Sequence, residues 1–244
     1  MKIICIIQAR MGSERLPGKV MKSVLGKPMV AYTLDRAMTS KYIDEVVLAT
    51  TENVCEEPMV EYLESKHYKV FRGDESNVLK RYVDTVNTYN GDIIIRITGD
   101  CPFIDPIIID QVITYFIANN FEYVRADVPE NFIRGFDVEV FTRQALEKVY
   151  NITKNIEGDS PYKEHVTLYM YKHPDEFLVG KFEGSKLYQK DYRLCVDTEE
   201  DFELVNLVYE HFKNKYVAGK EIIQFLDEHK EISQINQDIK QKTV

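Results

Sequence analysis

The chain has no tryptophan, and its four cysteines, Cys5, Cys55, Cys101 and Cys195, form no C-x-x-C pair. A zinc ribbon and a dithiol redox centre are thereby excluded, and the thiols read as small hydrophobes of a reducing compartment. Long apolar runs are missing too. Met1-Lys2 is followed by only five apolar residues, too few for a secretory core, and no later run reaches membrane-spanning length. Positive charge is in deficit: 31 Lys and Arg stand against 40 Asp and Glu, a formal net charge of −9, which argues against nucleic acid as a partner. The 11 glycines supply neither a Walker A loop nor G-x-G-x-x-G, so ATPase and dinucleotide readings fall in rank. These absences predict a soluble, cytoplasmic protein with no membrane and no nucleic-acid partner.

What is present is an alternation of apolar β-type segments with stretches of helical periodicity. It predicts an α/β, Rossmann-like architecture, a mostly parallel sheet flanked by helices on both faces. Strands are expected at 3–7, 45–49, 69–71, 92–97 and 122–124, with helices over 28–38, 56–65, 77–89 and 106–119. After Arg125 the rhythm changes. A strand is expected at 137–141, a helix up to Tyr150, a Gly-Asp-Ser-Pro break at 158–161, a helix over 164–171, and strands at 177–182 and 192–196. An amphipathic helix over 199–213 follows, and the Gln-, Lys- and Asn-rich tail from Ser233 is expected to fray. With no internal repeat or linker, 1–244 reads as one domain, in which 126–190 forms an inserted acceptor-side part.

The most telling stretch is Gln8-Ala9-Arg10-Met11-Gly12-Ser13-Glu14-Arg15-Leu16-Pro17-Gly18-Lys19, directly after the first apolar run. Glycines permit close backbone approach and the basic side chains supply charge, which are the parts needed to wrap polyphosphate. Asp100 follows the run 93–97 through a Thr-Gly turn, and ligands of α/β sheets bind beyond the carboxyl ends of strands. Asp197 follows a second short apolar segment. Two carboxylates converging on a phosphate loop suit magnesium. Each is equally placed to cap a helix, as Asp197-Thr198 would.

The loop resembles the opening motif of sugar nucleotidyltransferases: Gly12-Ser13, Arg15-Leu16-Pro17 and Lys19 match G-S-x-R-L-P-x-K. Arg96 to Pro102, Arg134 to Glu139 and Arg193 to Thr198 extend the likeness over most of the chain. The pattern is similar to that of the spore-coat polysaccharide biosynthesis cytidylyltransferase-like family, relatives of the CMP-sialic acid and CMP-Kdo synthetases. The resemblance implies a magnesium-dependent cytidylyltransferase that joins CMP from CTP to an acidic-sugar-like acceptor, working as a homodimer. It implies that Arg10, Arg15 and Lys19 line the triphosphate and that Asp100 and Asp197 hold Mg2+. Nucleotide contacts are expected from Gln8, Ala9, Met11, Gly12, Ser13, Gly73, Asp74, Thr98 and Gly99, with backbone donors near Met11 to Ser13. The segment 72–81 is as readily an ordinary turn with a helix cap. Arg134, Asp137, Glu139 and His165 are the acceptor-binding residues, with Asp137 and Glu139 on one face of a strand; a local ion pair at a solvent-facing edge is the competing reading. A glycosyltransferase using a nucleotide sugar, or a non-catalytic nucleotide-binding protein, are the alternatives, although Asp100 is followed by Cys101-Pro102 and not by a second aspartate.

Overall fold

A computed structural model describes residues 1–241 other than Glu157 and Asp159. In chain order the elements are β1 (Ile3–Gln8), β2 (Ser23–Val24), β3 (Lys27–Pro28), α1 (Met29–Ala37), β4 (Glu45–Thr51), α2 (Glu57–Ser65), β5 (Lys69–Gly73) and α3 (Val78–Tyr89). They continue with β6 (Ile93–Thr98), α4 (Pro106–Ala118), β7 (Tyr123–Ala126), β8 (Glu139–Thr142), α5 (Arg143–Thr153), α6 (Pro161–Glu164) and α7 (Leu168–Lys172). Last come β9 (Val179–Phe182), α8 (Glu199–Phe212), α9 (Gly219–Glu228) and α10 (Lys230–Ser233).

A strand that is apolar on both faces must lie mid-sheet with helices above and below. β1 does so. Ile3, Cys5 and Ile7 pack with residues of α1, α4 and α8, whereas Ile4 and Ile6 pack with Leu79, Tyr82 and Val83 of α3 and Leu146 and Val149 of α5. The large sheet has the order β5-β4-β1-β6-β8-β7-β9. All neighbours pair in parallel except β8, which runs antiparallel to both β6 and β7. Among the described residues no helix is long and apolar enough to cross a membrane.

Several expectations are corrected. Residues 192–196 form no strand. Only Arg193 bridges Arg134, and Leu194 N and Val196 N donate to Arg134 O and Asp100 O, so the backbone serves two loops instead of one neighbouring strand. The helix expected over 164–171 is two short helices, because His165 adopts an extended conformation (φ −102°, ψ 91°). Asp137 lies before β8, which begins at Glu139. The tail from Ser233 makes contacts with the body through Asn236 and Gln241, and Asp159 of the expected break lies outside the described residues. The first correction has a plain cause: the apolar run 194–196 is buried by loops and not by sheet pairing.

Candidate active site

β1 and β6 end side by side, Gln8 opposite Thr98, and the loop leaving β1 is held as a closed ring. Met11 O accepts from Ser13 N (2.9 Å) and Gly18 N (3.0 Å), a closure that needs the left-handed φ of 68° at Gly18. Buried Glu56 anchors its base, accepting from Met11 N at 3.0 Å and Thr50 Oγ1 at 2.9 Å. The amides of Met11 and Ser13 are therefore committed inside the protein, which corrects the expectation that they donate to phosphate.

Lys19, only 8 % exposed, starts the turn after this ring. Its Nζ donates to Asp100 Oδ2 (2.7 Å), Val196 O (2.7 Å) and Asp197 Oδ1 (2.9 Å), which uses all three ammonium protons. Asp197 Oδ2 also faces Arg15 Nη2 at 2.7 Å and Arg193 Nη2 at 2.5 Å. Burial by itself would lower the Lys19 pKa, but Asp100 and Asp197 outweigh it and hold the ammonium above its ordinary value. For Asp197 burial pushes upward, and Lys19, Arg15 and Arg193 together bring its pKa below the usual carboxylate value. Neither aspartate is spent on a helix cap. Thr198 caps α8, accepting from Asp201 N, with the Asp201 carboxylate closing the box, and Asp105 caps α4. The carboxylates of Asp100 and Asp197 are thus free to meet cations.

Two cavities flank this knot. One, of about 360 Å³, is walled by Gln8, Ala9, Arg10, Gly12, Ser13, Arg15, Lys19, Thr98, Asp100 and Asp197, with Val78 and Arg81 from α3. The other, of about 500 Å³, is walled by Arg134, Asp137, Glu139, Arg96, Arg125 and Tyr171 among others. Arg15, Thr98, Asp100, Glu164, His165 and Asp197 belong to both, so the cavities meet at the carboxylate pair. Of the residues expected at the nucleotide, Met11, Gly73, Asp74 and Gly99 line neither cavity. Asp74 accepts from Ser76 N and Asn77 N, which makes it a turn cap. Gly73 and Gly99 are packing glycines: an added Cβ would lie 2.9 Å from the Phe71 ring or 2.8 Å from Ala9 Cβ.

The acceptor-side carboxylates differ from each other. Glu139 is an internal organiser, paired with Arg96 and accepting from Tyr123 Oη and Thr167 Oγ1, both at 2.6 Å. Burial raises its pKa, and Arg96 with the two hydroxyls brings it below the ordinary value. This corrects the reading of Asp137 and Glu139 as a free pair for sugar hydroxyls. Asp137 accepts from Gly135 N at 2.7 Å, and burial pushes its pKa up. Gly135 has φ 109°, and a Cβ there would stand 2.7 Å from the Leu194 carbonyl carbon, so the approach of 134–137 to 193–195 requires glycine.

Arg96, Arg125 and Gln241 are wall residues that sequence reasoning missed, and Arg81 entered it only as the last residue of the segment 72–81. Arg96 carried a signal, as the one charge inside Ile93–Thr98; Arg81 sits in an unexceptional amphipathic helix. The tail supplies a brace. Asn236, 2 % exposed, donates to Arg193 O (3.0 Å) and Asp201 Oδ1 (2.8 Å), and Gln241 Oε1 accepts from Arg193 Nη1 at 2.7 Å. Asn236→Ala is expected to cost about 1–3 kcal/mol by leaving buried acceptors unpaired. A melting temperature lower by several degrees would show it, and an unchanged one would show that the brace is idle.

Among the described residues no group of three or more His, Cys, Asp or Glu side chains could form a metal cage. Asp100 and Asp197 nevertheless share one ammonium. Two carboxylates completed by phosphate oxygens and water are the donor set magnesium takes. The residues fit a magnesium ion that arrives with phosphate.

A family model described as "Cytidylyltransferase" matches residues 4–242. An uncharacterised protein of Methanocaldococcus jannaschii is 38% identical over 244 residues, covering 100% of this chain and 98% of that protein. The spore coat polysaccharide biosynthesis protein SpsF of Bacillus subtilis is 32% identical over 231 residues, covering 92% and 94%. Among solved structures, a cytidylyltransferase from Leptospira borgpetersenii superposes with a TM-score of 0.89 at 31% identity, covering 100% of both chains. A CMP-2-keto-3-deoxy-manno-octonic acid synthetase complexed with CTP gives 0.66 at 19%, covering 87% and 100%, a likeness of fold. By sequence and by architecture alike, the chain belongs to the cytidylyltransferase family and is a nucleotidyltransferase.

Proposed function

We propose that the protein transfers CMP from CTP to a hydroxyl of an acidic sugar or related acceptor, releasing pyrophosphate, in the synthesis of a surface polysaccharide or glycan. The observation that carries this reading is the meeting of two cavities at Asp100, Asp197 and Arg15. CTP fills the first and the acceptor the second, so the α-phosphorus and the attacking oxygen come together at the shared wall. Arg10, which no carboxylate pairs among the described residues, and Arg15 neutralise phosphate charge that grows on the equatorial oxygens and the leaving pyrophosphate. Gly12 and Ser13 let the chain approach closely, and Gln8, Ala9 and Thr98 form the floor. Lys19 holds the two carboxylates together. Magnesium on Asp100 and Asp197 would screen the triphosphate and orient the α-phosphate.

On the acceptor side, Arg134 meets an acceptor carboxylate or phosphate, while Asp137 and His165 face its hydroxyls. Residues 126–190 form the acceptor-binding part of one domain and the contact of a homodimer, a reading supported by exposed Leu178 and Leu187 in this stretch. The names of relatives, which include a spore coat polysaccharide biosynthesis protein and 3-deoxy-manno-octulosonate cytidylyltransferases, support the acceptor class. The test is pyrophosphate release from CTP and Mg2+ with a panel of acidic sugars, sugar phosphates and small phosphorylated metabolites. Release with an acidic sugar is expected. No release with any acceptor, alongside consumption of a nucleotide sugar, would overturn the proposal.

A further inference from the structure

Gln8 ends β1, and its side-chain oxygen is taken twice: Arg96 Nε donates to Oε1 at 3.1 Å and Tyr82 Oη at 3.2 Å. An arginine Nε can only donate, so the carboxamide cannot turn over without setting N–H against N–H. Its orientation is fixed by the chemistry of its neighbour. Nε2 has no hydrogen-bond partner among the described residues, and the buried unpaired side-chain atoms there are Arg81 Nε and Asp127 Oδ1 alone, so Nε2 keeps open surface. Gln8 lines the nucleotide cavity and not the acceptor cavity. The two open amide protons therefore belong to the nucleotide side.

What holds Arg96 lies on the other side. In the sheet Arg96 of β6 is in register with Ile6 of β1 and with Glu139 of β8. Its Nη1 pairs with Glu139 Oε2, the two side chains being 17 % and 14 % exposed, and Glu139 Oε1 is itself held by Tyr123 Oη and Thr167 Oγ1. A planar guanidinium tied at one edge to an ordered carboxylate presents its other edge at a set angle. Arg96 is the one charge in a strand of isoleucines, a costly place for it, and its hydrogen bonds among the described residues go to Glu139 and Gln8. An acceptor-side network thus reaches through the sheet to orient a donor of the nucleotide cavity.

We propose that Arg96 is a positioning residue for the nucleotide: anchored on Glu139, it locks the Gln8 carboxamide so that Nε2–H donates to CTP. This rests on the CTP reading above and adds to it the pair that presents the donor. The experiment is calorimetric binding of CTP, UTP, ATP and GTP, each with Mg2+, to the wild type, Gln8→Glu, Gln8→Met, Arg96→Lys and the double variant Gln8→Met/Arg96→Lys, with the melting temperature of each. Gln8→Glu keeps an oxygen for Arg96 and Tyr82 but has no amide protons, so it should melt within about 3 °C of the wild type or above it and bind CTP at least about tenfold more weakly. Gln8→Met, which adds no charge, should weaken CTP binding by about five- to tenfold, the worth of one hydrogen bond. Arg96→Lys keeps a charge beside Glu139 but loses the fork, and should weaken CTP binding by a similar factor. In the Gln8→Met background the same Arg96→Lys change should alter CTP affinity by less than about twofold, because a residue that acts through Gln8 has nothing left to position. Losses that multiply in the double variant would show that Arg96 acts independently, and wild-type CTP affinity in Gln8→Met would show that the amide is idle; either result overturns the proposal. A Gln8→Glu protein that melts far below the wild type contradicts the bonding pattern, without depending on Arg96→Lys being folded. A wild type that binds UTP, ATP or GTP more tightly than CTP overturns the CTP reading itself, whatever the variants do.

Discussion

Asp197→Asn is expected to lower CTP-dependent pyrophosphate release by about a thousandfold or more, the scale of losing a fixed charge at a reacting phosphate. The same change should also weaken the fold. The wild-type carboxylate receives Lys19 on one oxygen and Arg15 and Arg193 on the other. An asparagine carbonyl can still meet the two arginines, but its NH2 then confronts Lys19 Nζ, a donor against a donor. About 1–3 kcal/mol of stability is expected to be lost, read as a lower melting temperature. Asp100 receives Lys19 Nζ and lies between fewer cations. Asp100→Asn should therefore match the loss of turnover while costing less than about 1 kcal/mol. Retained turnover in both variants would remove this pair from the reaction; equal destabilisation in both would contradict the asymmetry of their partners.

Lys19→Met should have the largest effect on stability. It deletes the shared donor of Asp100, Asp197 and Val196 O and leaves two carboxylates facing each other with less counter-charge. Breaking such a largely buried arrangement costs about 3–5 kcal/mol, which for a chain of this size is a fall of roughly 10 °C in melting temperature. The variant should then respond to divalent cations differently from the wild type. In the wild type Nζ sits between the carboxylates, so Mg2+ at about 10 mM should move the melting point by less than about 1 °C. In Lys19→Met the ion takes the place of the ammonium, and a rise of several degrees is expected. An equal response of the two proteins would show that Lys19 does not guard the carboxylate pair. Turnover should fall by at least about a hundredfold in either case, because the carboxylates lose their relative position.

The parallel core was legible because strands buried on both faces are written as uninterrupted apolar runs, as Ile3–Ile7 and the isoleucines of β6 are. The cationic loop was legible for a different reason: glycines and basic residues cluster there against the background of an acidic chain. Tertiary docking hid the rest. Leu194, Cys195 and Val196 are buried beneath two loops, and an apolar triplet looks the same whether a loop or a strand covers it. Asn236 disguised the tail, since a polar residue whose amide is fully satisfied inside the protein has the same letter as one in water. The turn after β5 misled in the opposite sense. Its glycine and aspartate suggested a ligand loop, yet they serve packing and capping, and the cavity-lining side chain of that region is Arg81, a turn further on.

The two cavities draw most of their unshared walls from separate stretches of chain, one from 8–20 and 78–81, the other from 96, 125–139 and 167–171, and they overlap in only a few side chains. Such a layout decouples two kinds of evolutionary change. Drift in the second set can reshape one chamber for a new guest while the cation ring and its aspartates go untouched. Transplanting those stretches between homologues is accordingly the direct route to altered selectivity with the phosphate chemistry conserved.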